Sequence, residues 1–403
     1  MKIRNDRGIA TRFRKGHRLA ALALMAVGTV TVASCSSSKT TGSAAATSAS
    51  TGGASTTSAP TSAAAGTSAA TTSTPATSAA AGSSAATGSA PAGGKHYTIR
   101  YSTVLPATDP ESKTADYFAQ QLEKLSNGQI TVQVYYSSQL GTVQDQVNNT
   151  KAGTIQMIGV DYSYISPFDP SVSAFLLPYL FTTKQQAYDM EAGPLGASLS
   201  QDVIDKAGLR GVGWLEFGWR DVANNKRPLT DPAAFNGLKI RVTPSSIGAQ
   251  TASAFGATPV TMDISEVYTS LKQGVLNGVD TTLTTIVSSQ FQNVAKYVTD
   301  LQYQYDMGAM FINNKFFESL PSDLQADVNT AAQAAQVFNR NAQNTAQAAA
   351  AAAVKTSGAQ LITLTDAQKA VFKKASQPVY AKIAALSPQA KQWVDQLSAI
   401  SGG

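Results

Sequence analysis

Tyr97-Thr-Ile-Arg-Tyr-Ser-Thr-Val-Leu105, followed closely by Asp109-Pro110, decides how the chain is read. The first stretch alternates as a strand does. Asp109 then offers a helix N-cap and Pro110 a first helical position. Ala115, Phe118, Ala119, Leu122 and Leu125 follow at helical spacing, and Asn127-Gly128 stops the helix. Working outward, 130–135 predicts a second strand, 143–152 a short helix and 154–160 a third strand. This β-α-β-α-β order predicts an α/β fold with a parallel sheet between helices.

The later chain continues in the same style. Residues 209–215 and 238–242 predict strands, 246–255 a helix and 278–281 a short strand. Asp263-Ile-Ser-Glu266 has the spacing of a capping box opening a helix through Gln273. Ser322-Asp-Leu-Gln325 has the same form before a long Ala- and Gln-rich helix to about Lys355. A strand near 361–364 and helices from about Asp366 and Pro388 complete the pattern.

Before this body lie two segments of different character. Residues 1–34 hold seven basic residues against one acid, a net +6. Of the 31 basic and 25 acidic residues, 24 of each therefore remain, and the rest of the chain is neutral. The basic balance belongs to the leader, so a nucleic-acid partner loses its support. An apolar run from Leu19 to Ala33 follows the basic stretch, as in an export signal. It is short for a membrane span. Val32-Ala33-Ser34-Cys35 ends it and resembles a bacterial lipobox, which makes Cys35, the only cysteine, the expected lipidation site. An ordinary signal peptide with an incidental Cys is the alternative. Acyl chains contribute about 0.8 kcal/mol per buried methylene, so several of them hold a protein to a bilayer.

Residues 36–94 are Ser, Ala, Thr and Gly with a few Pro and one charge, Lys39. With no Leu, Ile, Val or aromatic residue, nothing there offsets the entropy of ordering the backbone. The expectation is a disordered tether over 35–94 that carries the 95–403 body outward from the membrane. After the leader His96 is the one remaining histidine. Neither a His-based metal site nor a catalytic triad is then available, and no cofactor is expected.

A series of motifs runs through the body: Ser102-Thr-Val-Leu-Pro106, Gly128-Gln-Ile-Thr-Val-Gln-Val-Tyr135, Gln139-Leu-Gly141, Lys151-Ala-Gly-Thr-Ile-Gln-Met157 and Leu177-Pro-Tyr-Leu-Phe181. Gly237-Leu-Lys-Ile-Arg-Val242, Phe255-Gly-Ala-Thr-Pro259, Ser265-Glu-Val-Tyr268, Gln273-Gly-Val-Leu-Asn-Gly-Val-Asp280 and Phe317-Glu-Ser-Leu-Pro321 continue it. In order and spacing they resemble the dicarboxylate-binding (DctP-like) solute-binding proteins of tripartite ATP-independent periplasmic (TRAP) transporters. The resemblance implies a two-lobed periplasmic-binding-protein fold of type II, with a hinge and a long helix crossing both lobes. One lobe would take roughly 95–220 with part of the C-terminal half, the other 221–310. It also implies a binding protein, not an enzyme, that closes on an organic acid and delivers it to a membrane permease. A solute-binding lipoprotein of an ATP-driven importer is the alternative, and the Lys-Ile-Arg-Val and Gln-Gly-Val-Leu-Asn-Gly series argues against it.

The resemblance also implies site residues. On periodicity alone Arg241 is a solvated side chain beside Lys239, opposite Leu238, Ile240 and Val242. The family's matching arginine pairs with the ligand carboxylate, a role suited to a planar, permanently charged fork. Arg220 resembles a second, assisting arginine; its neighbour Arg227 reads as a basic residue of a turn. Trp219 lines the cleft or packs in the core. Thr281 stands where many members have a carboxylate-binding Asn, and Ile264 where many have an aromatic residue, which separates this site from the familiar dicarboxylate and sialic acid sites. Val104 and Leu105 after the first strand, and Asp161 or Tyr162 after the third, are candidates by position, since open α/β sheets bind ligands beyond the carboxyl ends of strands. Simple loop packing is the alternative for each of these.

Overall fold

The computed structural model describes residues 95–400; Cys35, the leader and the spacer lie outside the described residues. The chain opens with β1 (Tyr97–Thr103), α1 (Pro110–Leu125), β2 (Ile130–Tyr135), α2 (Val143–Ala152) and β3 (Met157–Asp161). These are the elements expected from the opening pattern. Asp109 caps α1 by accepting from the Glu111 amide at 3.0 Å. The chain then forms α3 (Lys184–Ala192) and α4 (Pro194–Ala207), and enters the 16-residue strand β4 (Leu209–Asn224).

Next come β5 (Lys239–Val242), α5 (Ser246–Ala254), β6 (Thr258–Thr261), α6 (Ile264–Gln273), β7 (Gly278–Thr282) and α7 (Leu283–Ser288). The chain returns through β8 (Tyr297–Asp300) and β9 (Tyr305–Asn313). It finishes with α8 (Asn314–Ser319), α9 (Ser322–Thr356), β10 (Gln360–Thr363), α10 (Asp366–Ala384) and α11 (Pro388–Ile400).

The strands run in the order β2-β1-β3-β9-β4-β7-β5-β6, with β8 against β4 and β10 against β8. The expected parallel pairing holds for β1 with β2 and β3. It ends at β9, which is antiparallel to both β3 and β4. The sheet is therefore mixed. All nine residues of β9 are buried, so alternation gives no sign of this strand.

β4 makes the molecule two-lobed. From Leu209 to Trp219 it pairs with β9; from Arg220 to Asn224 it pairs with β7. Just before the change of partner the register slips between Glu216 and Gly218, and Gly218 sits at φ +105. A bulge built on a glycine bends a strand sharply and increases its twist. The strand thus passes from the β1–β3 side of the sheet to the β5–β7 side through one flexed residue.

α9 ties the two sides together. Its 35 residues span about 50 Å at ~1.5 Å per residue. Val328, Ala331, Ala332 and Ala335 pack into a core with Tyr101, Phe118 and Leu215. Ala350 and Val354, further along, pack with Val279, Leu283 and Val298. Alanine on the buried face lets the helix lie close to both cores. The expected Ser322 cap is not formed: the helix begins at Ser322 itself, and Pro321 stands at the N-cap with no side-chain bond.

A Cβ at Gly218 would meet nothing nearer than Gln347 Oε1 at 3.9 Å, so only the backbone resists substitution. We expect Gly218→Ala to cost about 1–2 kcal/mol and to lower Tm by a few degrees. An unchanged Tm in differential scanning calorimetry would mean that the bend does not need a glycine.

Candidate ligand-binding cleft

Where β4 changes partner, the carboxyl ends of β1, β3, β5 and β7 converge on a narrow cleft with about 30 Å³ of free space, room for about one water molecule. Val104, Asp161, Arg220, Arg241, Ile264 and Thr281, six of the residues singled out in the sequence, line it. Leu105 does too. A larger groove of about 710 Å³ runs between α9 and α7, but alanines line much of it and Lys113 is its single charged residue. It has little with which to orient a polar solute.

Two buried guanidinium groups face the cleft from different circumstances. Arg220 donates from Nε to Asp280 Oδ1 at 3.1 Å and from Nη1 to Asp306 Oδ2 at 2.7 Å. Its Nη2 donates to the Asp280 carbonyl at 2.8 Å. Tyr303 donates its hydroxyl to the other Asp280 oxygen at 2.6 Å. Arg220 thereby pins β4, β7 and the start of β9 together, and its charge is matched within the protein. Burial works against its charged form, yet Asp280 and Asp306 outweigh that and raise its pKa.

Arg241 is 1% exposed and has no carboxylate at ion-pair distance among the described residues. Its Nε donates to the Met262 carbonyl at 2.9 Å, and its Nη2 donates to the Tyr164 hydroxyl at 3.1 Å. The solvated position that strand alternation allowed is not the one it occupies, because Ile240, Arg241 and Val242 are all buried. A buried charge is costly unless paired. Arg241 is held in place by neutral acceptors, which leaves its charge for an anion to match.

The acids complete the electrostatics. Asp161 at the end of β3 accepts from the Ser163 amide at 2.9 Å and from the Ser163 hydroxyl. Burial raises its pKa against the pull of Arg220 and Arg241. Burial likewise pushes the Asp306 carboxyl up to about 8, opposed by Arg220 and reinforced by Asp161 and Asp280. Asp306 Oδ1 is buried without a hydrogen-bond partner. Beneath the cleft floor, a Cβ on Gly159 would come within 2.0 Å of Glu111 Oε1. A side chain there would have to displace the buried ends of Glu111 and Tyr101, and burial raises the Glu111 carboxyl to about 8.

Two candidates lie elsewhere. Trp219 packs edge-on against Tyr305, 5.4 Å between centroids, and lines a separate hollow with Tyr179 and Phe181. Its side chain leaves β4 on the face away from Arg220, as successive strand residues do. Tyr162 is enclosed by Phe311 and Trp214. Tyr164, two residues on, reaches the cleft instead. Arg227 donates to the carbonyls of Ala234 and Asn236 and is a turn residue, as read. Asp306, Tyr164, Thr243, Thr285 and Phe217 are lining residues that the sequence reading missed. Asp306 had a signal: it is the one charge in the strand Tyr305–Asn313, next to the apolar run Met307–Ile312.

Bonds across the rim join elements of opposite lobes. The Val143 amide of α2 donates to Asp263 Oδ2 at 2.8 Å, and Ser288 of α7 donates to Asp109 Oδ2 at 2.7 Å. Asp263 caps α6 with its other oxygen, accepting from Ser265 rather than completing the expected capping box with Glu266. The Arg241–Tyr164 bond is a third link.

Residues 101–386 match the model of DctP, the bacterial extracellular solute-binding protein family 7. The chain belongs to this family. A solute-binding protein of Verminephrobacter eiseniae is 30% identical over 286 residues, 71% of this chain and 84% of that protein. A TRAP periplasmic solute-binding protein of Roseobacter denitrificans, solved with β-D-glucuronate, superposes with a TM-score of 0.72 at 25% identity, covering 75% of this chain and 99% of its own. Another from Sulfurospirillum deleyianum, solved with succinate, gives 0.71 at 27%, covering 76% and 99%. DctP proteins are extracytoplasmic binding proteins, not enzymes. Among the described residues no helix is long and apolar enough to cross a membrane.

We expect Arg220→Ala to act first on stability, since it abandons two buried carboxylates. Breaking such a pairing costs about 3–5 kcal/mol. Asp306, raised by burial and freed of the opposing Arg220 charge, keeps a proton in the folded state that the unfolded chain releases, so stability should fall further as pH rises from 4 to 8. Urea unfolding at several pH values measures this; a wild-type midpoint throughout would remove Arg220 from its structural role.

Proposed function

We propose that this DctP-family protein captures a small organic acid between its lobes and passes it to a TRAP-type permease, while a lipid on Cys35 holds it to the outer face of the cytoplasmic membrane. The observation that carries the acid is Arg241: a buried guanidinium, aimed into a cleft and lacking a carboxylate of its own among the described residues. A ligand carboxylate supplies the missing charge through two parallel hydrogen bonds. Val104, Ile264, Thr281, Asp161 and Arg220 form the surrounding wall on this reading. The acids bound by the relatives from Roseobacter denitrificans and Sulfurospirillum deleyianum each carry a carboxyl group, which supports it.

The permease partner follows from the family and from the TRAP proteins it resembles; the family match favours this over an ATP-driven importer. The anchor rests on the lipobox-like Val32-Ala33-Ser34-Cys35, and the low-complexity 36–94 stretch serves as the tether.

Arg241→Ala should weaken binding of the native acid by about 3–5 kcal/mol, a factor of several hundred or more. Arg241→Lys should recover part of it, since an ammonium keeps the charge without the fork. Titration calorimetry with the acid retained by protein purified from its host reads this out; undiminished affinity in Arg241→Ala would sink the assignment. Cys35→Ser should move the protein from the membrane fraction to the soluble one. A variant that still pellets with membranes would rule the lipid anchor out.

A further inference from the structure

We propose that the hollow behind the bend of β4 is a second small-molecule site, built for an aromatic carboxylate and separate from the Arg241 cleft. Trp219 and Arg220 are consecutive on β4 and leave it on opposite faces, so the two sites lie back to back across one strand. The hollow has about 440 Å³ of free space, within the range of roughly 300–1,000 Å³ common for ligand pockets. Its walls come from the loop at Tyr179, from Trp219 just after the Gly218 bend, from Gln302 in the link between β8 and β9, and from the first turns of α10. Phe181 and Trp219 belong to the core around Tyr305 and Met307, and Tyr179 to the core around Phe235 and Tyr303. The hollow therefore opens where two cores meet.

Aromatic side chains set the shape. Trp219 and Phe181 both pack edge-on against Tyr305, at 5.4 and 6.2 Å between centroids, so their rings are held in place by the core behind them. Together with Tyr179 they give a planar ring surfaces to pack against. Aromatic surroundings also suit organic cations, and here α10 decides against that. Asp366, Lys369 and Lys373 line the hollow from one face of the helix, at i, i+3 and i+7. Lys369 donates to Gln302 Oε1 at 2.8 Å and lies near Asp221 and Asp300, so its charge is already in use. Asp366 is exposed at the start of the helix, two turns from Lys373. Lys373 is half-buried, and its ammonium has no acid or hydrogen-bond acceptor among the described residues. It is the free charge of the hollow, and it suits an anion. Tyr179 adds an independent sign: its backbone sits at φ +57, and its hydroxyl is buried without a hydrogen-bond partner. Strained backbone of this kind gathers where ligands bind.

Titration calorimetry on the full-length protein tests this with one ring carrying three charges: indole-3-acetate, indole-3-acetamide and tryptamine, with acetate as the ringless acid. Wild type and Arg241→Ala are compared, because the variant loses the cleft's own hold on a carboxylate. Indole-3-acetate should bind both alike, and about fivefold tighter than its amide, the worth of one partly exposed ion pair. Tryptamine should bind more weakly still, and acetate should give no heat in Arg241→Ala. Lys373→Ala should erase the advantage of the acid over the amide, and Trp219→Leu should weaken every indole. Lys373→Ala changes only a half-buried helix residue, so it carries the test even if Trp219→Leu fails to fold. Equal affinity for acid and amide, an affinity that Lys373→Ala leaves untouched, or no binding of indole-3-acetate at all would overturn the second site. Binding seen in wild type and lost in Arg241→Ala would place the probe in the cleft, which overturns the second site and leaves acid capture standing.

Discussion

Arg220, gripped by Asp280 and Asp306 where three strands meet, sets the terms for everything around it. The bond network fixes β4 at the residue where it exchanges β9 for β7, immediately after the Gly218 bend. Asp161 lies near both arginines, yet among the described residues no carboxylate reaches Arg241 at ion-pair distance. Two arginines in one cleft therefore do different things. One is a strut with its counter-ions built in, and the other is a buried charge positioned by a carbonyl and a phenol. A fold that spends stability to hold an unmatched cation has a use for an anion.

Closure around that anion draws on weak contacts. Val143 to Asp263 and Ser288 to Asp109 join the lobes at the rim, each a hydrogen bond to a carboxyl group that contributes no more than about 1.5–3 kcal/mol. Such bonds shape a closed form without locking it, so the ligand's differential affinity can decide the balance between open and closed. α9 packs on both cores and keeps the lobes in register, while the Gly218 bend gives β4 a place to flex. Asp109 and Asp263 serve twice, as helix caps and as rim contacts, which couples the ends of α1 and α6 to the state of the cleft.

Much of this was legible in the sequence because local rules applied. The first β-α-β-α-β run, the Asp109 cap and the long α9 follow from periodicity and capping. The ordered motif series carried the family and, with it, Arg241, which alternation alone would have placed in solvent. What escaped was non-local. β9 is buried on both faces and so shows no period, although its central place decides that the sheet is mixed. The full length of β4 depends on two different partners, neither visible from its own residues. Trp219 takes the packing alternative against Tyr305, and the tight turn after β3 carries Tyr162 away from the cleft toward Trp214 and Phe311. Arg220 lines the cleft as its resemblance implies, but its two acids, 60 and 86 residues away, leave no sign in the local sequence.

The most direct test of the central claim is a crystal structure of the protein loaded with its native acid. A carboxylate should lie about 2.7–2.9 Å from the Arg241 guanidinium nitrogens, with Arg220 still bonded to Asp280 and Asp306. A carboxylate seated on Arg220 with Arg241 left to Tyr164 and Met262, or an acid bound outside the cleft, would contradict it.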